Sequence, residues 1–341
     1  MATQSAAASG GKAGQKPGKR EIKILMLHGE EIFPASLSQE DESQCRYTPS
    51  DRALTSHPLP RLTHSLIYPH PHAHHRQLTH PLSPGYTQSG PLFRAKTRAL
   101  DKLIQKALAP ANLTATLVYP TAPNRLRPQD IPGYQPPEGD DAGQPGDGDD
   151  DDEYDSWAWF RRDDATGTYR LLPEGMRRIA QAIRDDCGGR ADGVVGFSQG
   201  GAVAAMLAAA LEPDRAVPPP PAGSDAAAED GPAAWADELR AANGGRPLRF
   251  AVSYSGFWAP PAELAWLYEP PVATPTLHVL GGLDTVVDES RSRALVDRCE
   301  DPVVVVHPGG HYVPVSREWA MPLIGFIHKH AKDDEAQRAQ I

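Results

Sequence analysis

The sequence predicts an α/β fold, a mostly parallel central sheet flanked by helices on both faces. Two observations predict it. Short apolar runs of strand length alternate with segments of helical period through most of the chain. One such run, Ala191 to Val195, leads into Gly196-Phe197-Ser198-Gln199-Gly200 and then an Ala/Leu-rich stretch from Gly201 to Leu211. Strand, sharp turn and helix in that order expose a serine hydroxyl at a strand end.

The elements follow in order. Glu21 to Leu27 reads as a buried first strand that stops at His28-Gly29. Residues 30–84 carry no strand or helix period and hold seven of the thirteen histidines. Pro91 to Leu108 is an amphipathic helix, with Leu92, Leu100, Leu103, Ile104 and Leu108 largely at helical spacing. Thr114 to Tyr119 is the second strand. Leu171 to Ile183 is a helix that feeds the strand before Ser198. Residues 213–246 are rich in Pro, Ala and Gly and read as a linker or a cap. Leu248 to Tyr254 and Thr276 to Leu280 are strands, Glu289 to Cys299 a helix, Val303 to Val306 a strand and Trp319 to His330 a closing helix. The predicted organisation is a tail over 1–20 and one domain over 21–331. That domain is interrupted at 30–84, 133–156 and 213–246, and a second tail covers 332–341.

Composition narrows the function. With 40% apolar residues in 341, the chain can bury a sizeable core, and it has no 18-residue apolar run to span a membrane. The first twenty residues lack a secretory apolar core. They are basic and free of acids, which also fits a mitochondrial leader, but they read first as a disordered tail. Cys45, Cys187 and Cys299 are too far apart for a metal or disulfide pattern. A reducing intracellular location is expected, in the cytoplasm with the nucleus as a second compartment. The net charge of -10 is matched by ten acidic residues between Glu138 and Asp155, set among Pro, Gly and Gln as a solvated loop. That block lacks the spacing of a calcium loop, and the histidines of 57–80 match no closed metal site. No metal or cofactor is expected. No basic patch interleaved with aromatics points to nucleic acid.

Ser198 is the candidate nucleophile, with Gly196 and Gly200 allowing the tight turn. It needs a base, and the base needs an orienting acid. Asp284 lies in Gly281-Gly282-Leu283-Asp284, just past the fifth strand, and His311 lies past two glycines beyond the sixth. Asp288 is the rival acid, better placed to cap the helix at Glu289. His307 is the rival base, ending its strand directly. Ser, Asp and His then follow in the order of α/β-hydrolases. The Gln199 N–H is one expected oxyanion donor, and the loop after the first strand should supply the other. His28 is expected to shape that loop. Trp157, Trp159, Phe160, Phe257 and Trp258 are candidates for an apolar acyl pocket, with ordinary packing as the alternative.

These residues resemble the FSH-type serine hydrolases of the α/β-hydrolase superfamily. The likeness is carried by Ile24–Gly29, Gly85–Leu100, Gly193–Gly201, Phe250–Phe257, Gly281–Val287 and His307–Pro314. The resemblance implies a Ser198-Asp284-His311 triad acting on a carboxylic ester or thioester. Fungal members that release polyketide chains make an acyl-carrier domain a candidate partner. A hydrolase-fold binding protein is the non-catalytic alternative. One departure stands out. In the family, Leu-His-Gly runs at once into the segment that here begins at Tyr86. Residues 30–84 therefore read as a translated retained intron. Gly29-Glu30 can be encoded GGTGAG, which holds a splice donor. Pro84-Gly85 can be encoded CCAGGN, which holds an acceptor, and the cut rejoins one glycine codon in frame. A genuine surface insertion is the alternative. With the segment removed, Tyr86 follows Gly29 and becomes the implied second oxyanion donor.

Overall fold

The computed structural model describes residues 19–29, 89–127, 155–163, 165–218 and 231–332. The interruption at 30–84, Tyr86, Cys45, most of the acidic loop and all but residues 19, 20 and 332 of the two predicted tails lie outside them.

Six strands form the central sheet: β1 (Arg20–Leu27), β2 (Leu113–Val118), β7 (Gly193–Phe197), β8 (Phe250–Tyr254), β9 (Thr276–Gly281) and β10 (Val303–His307). Their order across the sheet is β10-β9-β8-β7-β1-β2, and every pairing is parallel. Two short antiparallel ladders lie outside it. In one, β3 (Asn124–Arg125) pairs with β4 (Trp157–Ala158). In the other, β5 (Arg161–Arg162) pairs with β6 (Tyr169–Arg170).

Period-two alternation sorts the core into two layers. On β1, Ile22, Ile24 and Met26 face one layer while Leu25 and Leu27 face the other. The first layer is closed by α1 (Gly90–Leu108) and α6 (Arg317–Lys332), through Phe93, Leu100, Leu323 and Ile327. The second is closed by α2 (Leu172–Asp185), α3 (Gln199–Ala210) and α4 (Pro232–Ala242), with α5 (Glu289–Val296) contributing Leu295. Every residue of α3 is buried. Its alanines let it lie close beneath the sheet, where a helix that is apolar all round belongs. The architecture is an α/β-hydrolase-like fold.

The predicted strands and helices appear within a few residues of their expected bounds. Segment 213–246 is corrected. Its second half is α4, which starts with Pro232 in the first turn and buries Trp235, Ala236, Leu239 and Ala242 on one side. The Trp235 ring packs 5.5 Å from that of Trp266. Among the described residues no helix is long and apolar enough to cross a membrane.

Candidate active site

Ligand sites in parallel sheets lie at the carboxyl ends of the strands, and the predicted residues gather there. Phe197 ends β7, and Ser198 follows at φ 54°, ψ -118°, outside the helical region that Gln199 then enters. Its N–H donates to the Tyr254 carbonyl at 2.8 Å. The turn tolerates no side chains at its edges. A Cβ on Gly196 would lie 1.9 Å from the Gly200 carbonyl oxygen, and one on Gly200 would lie 2.2 Å from that of Leu27.

β9 and β10 are neighbours, so the loops beyond them meet. The Gly282 N–H donates to the His307 carbonyl at 2.7 Å and the Leu283 N–H to that of Gly309 at 3.0 Å. Asp284 and His311 are brought together by this loop pairing. His311 Nδ1 lies 2.8 Å from Asp284 Oδ2, and Nε2 lies 3.0 Å from Ser198 Oγ. A carboxylate only accepts, so Nδ1 carries the proton there. Nε2 is left with a lone pair, and the Ser198 hydroxyl donates to it. Asp284 Oδ1 accepts from the Val286 and Val287 N–H groups at 3.0 and 2.9 Å. Burial alone would raise the Asp284 carboxyl. The hydrogen bond from His311, its charge and the Val287 N–H outweigh burial and hold it below the ordinary carboxylate range.

The rival residues have other work. Asp288 caps α5, accepting from the Ser290 N–H at 2.8 Å. His307 Nδ1 accepts from the Gly309 N–H at 3.2 Å, and its ring meets Tyr312 and Trp319 edge-on. Burial lowers its pKa, against the pull of the Asp284 charge.

A second set of contacts was not foreseen from the sequence. The Gln199 side chain clamps the backbone of 159–160: Oε1 accepts from the Trp159 N–H at 2.7 Å, and Nε2 donates to the Phe160 carbonyl at 3.0 Å. The Trp159 indole N–H donates to the His28 carbonyl. His28 Nε2 accepts from the Ala122 N–H at 3.0 Å. Thus the ends of β1 and β2 and the segment after β4 are stitched around the start of α3. Trp159 and Phe257 are wholly buried, so they pack the core beside the site rather than wall an open pocket. Trp157 and Trp258 are partly buried, beneath the guanidinium groups of Arg125 and Arg298. Phe160 stacks on Tyr169 at 4.1 Å. The Gln199 N–H opens α3, where the first turn has no helical acceptors of its own. The only sequence signal for the clamp was the hydrogen-bonding side chain directly after Ser198. Among the described residues no group of three or more His, Cys, Asp or Glu is arranged to hold a metal.

The family model "Serine hydrolase (FSH1)" matches residues 82–323. "Family of serine hydrolases 2" of Saccharomyces cerevisiae is 30% identical over 251 residues, covering 73% of this chain and 93% of that protein. A Schizosaccharomyces pombe protein named "Dihydrofolate reductase" is 32% identical over 230 residues, covering 67% of this chain. The match spans only 42% of that longer relative. "Esterase OVCA2" of Danio rerio is 30% identical over 246 residues, covering 68% of this chain and 88% of that one. The model match takes in the turn at Ser198 and both loops that meet it, and extends over most of the sequence; the chain belongs to the FSH1 family of serine hydrolases.

Proposed function

We propose that the chain hydrolyses carboxylic esters or thioesters through an acyl-enzyme on Ser198. The observation that carries this is the continuous hydrogen-bonded path from Ser198 Oγ through His311 to Asp284. As Oγ attacks the acyl carbonyl carbon, its proton passes to His311 Nε2. The imidazolium so formed is stabilised by the Asp284 carboxylate, which stays ionised. The developing oxyanion takes the Gln199 N–H and an N–H from the loop after Gly29, the position assigned to Tyr86. His311 then gives the proton to the departing alkoxide or thiolate. A water molecule, deprotonated by His311 in turn, releases the acid and restores Ser198. The sequence requires no cofactor for this chemistry. A carrier-bound acyl thioester is the more specific substrate that the fungal resemblance suggests.

The test is pre-steady-state hydrolysis of p-nitrophenyl esters and acyl-thiol substrates of graded chain length. A burst of one leaving group per active chain is expected, followed by slower turnover. Ser198→Ala should lower kcat by about 10⁴-fold or more. A Ser198→Ala variant as active as the parent refutes the reading.

A further inference from the structure

β8 separates the proposed nucleophile from its acid. In the sheet it lies between β7, which ends just before Ser198, and β9, which ends ahead of Asp284. The chain leaves β8 at Ser255, and both neighbours hold that exit. The Tyr254 carbonyl accepts from the Ser198 N–H at 2.8 Å, and the Ser255 N–H donates to the Val279 carbonyl at 2.9 Å. Ser255 has φ 46°, in the left-handed region. Among the described residues only five non-glycine residues have positive φ, and Ser198 is another. Strain of this kind collects where the surroundings over-determine a site. Glycine would relieve it, yet a serine stands there.

The serine side chain is also incompletely used. Ser255 is 2% exposed, and its Oγ closes no hydrogen bond of ordinary geometry among the described residues. It is among the hydrogen-bonding groups that hold the Asp284 carboxyl low. Oδ1 of this carboxylate already accepts from two N–H groups, while Oδ2 accepts from His311. Each oxygen has two acceptor positions, so Oδ2 has one to spare. Catalytic hydrogen bonds that are long at rest tighten when charge develops.

We infer that Ser255 is a positioning residue whose hydroxyl closes onto the Asp284 carboxylate as the His311 imidazolium forms, fixing the carboxylate plane and sharing its charge. The inference rests on the reading of Ser198, His311 and Asp284 as the catalytic groups. The other charged or titratable groups felt by Asp284 are His307, on the β10 loop, and Asp288, at the head of α5. Both stay in place when Ser255 is changed. Without the hydroxyl the imidazolium loses that support, so the acidic limb of the pH–rate profile moves to lower pH.

The experiment compares the parent chain with Ser255→Ala, Ser255→Gly and Ser198→Ala. Hydrolysis of one soluble ester is followed across pH, and thermal unfolding is measured on the same samples. Ser255→Ala keeps the backbone strain and loses the hydroxyl. It should unfold near the parent temperature, lose roughly tenfold or more in kcat with little change in KM, and show the acidic limb at lower pH. Ser255→Gly should unfold at a higher temperature and still lose activity, whereas a purely structural role would move both the same way. If the alanine variant fails to fold, the glycine variant decides alone. Parent kcat and parent pH profile in the Ser255 variants, with Ser198→Ala inactive, overturn the inference and leave the proposed function standing. Full activity in Ser198→Ala would overturn that function itself.

Discussion

At His28, burial and one hydrogen bond decide the protonation state. Nε2 accepts from the Ala122 N–H, a role that a protonated ring cannot fill. Burial pushes the pKa down to about 3, against a weaker pull upward from Asp155. In the unfolded chain the same ring titrates near its ordinary value of about 6.5. As pH falls from that value toward 3, the unfolded chain takes up a proton that the folded chain refuses. The stability present above the unfolded pKa is therefore lost across this window. His278, pushed down to about 4 by burial, acts in the same direction. The urea midpoint should fall between pH 7 and pH 5, and fall less in His28→Gln, which keeps an acceptor for Ala122. Equal falls in both proteins would show that His28 is not held neutral. At this scale the sequence reveals residues placed by strand ends. Ser198, Asp284 and His311 each follow an apolar run at a short, countable distance. It hides contacts between distant segments. Gln199 reaches back across 40 positions to Trp159, and no periodicity records that.

The elements were legible where period and length agreed. β1, β7 and β8 are short apolar runs, and α1 carries Phe93, Thr97, Leu100, Ile104 and Leu108 inward at helical spacing. α4 was hidden by its surroundings. It is short, half alanine on its buried side, and set in a stretch dominated by Pro, Ala and Gly, so one tryptophan and one leucine carry most of its apolar signal. Trp235 nonetheless reaches the core at 2% exposure. Arg177 and Arg184 of α2 meet Glu238 of α4 at 3.8 and 3.1 Å, but these are partly exposed pairs. They contribute about 0–1 kcal/mol each at most. The tryptophan should dominate. Trp235→Ala is expected to cost about 3–5 kcal/mol in denaturant unfolding. A cost below about 1 kcal/mol would mean that α4 is loosely attached and that the linker reading describes it better.

Across the whole molecule, the sheet order explains why one end carries the chemistry. β7 lies near the middle, with β9 and β10 leading to the acid and base loops on one side and β1 bringing His28-Gly29 on the other. The order Ser, Asp, His along the chain becomes a spatial order because β9 and β10 are adjacent and their loops pair. The sequence alone could not show that pairing. It also could not show that Trp159, drawn from the far side of the acidic loop, would be fastened to both β1 and α3. The family model match begins at residue 82, within the last residues of the interruption that parts Gly29 from Tyr86. The intact chain is therefore the protein on which activation of Ser198 has to be measured. The direct measurement is reaction of the folded full-length chain with a fluorophosphonate, followed by peptide mass spectrometry. One adduct per chain on the peptide containing Ser198 is expected, with labelling slowed by about 10⁴-fold in Asp284→Asn. Labelling confined to a version lacking 30–84 would mean that the segment disables the site; Ser198 unmodified in both, or an Asp284→Asn variant labelled at the parent rate, would contradict the account.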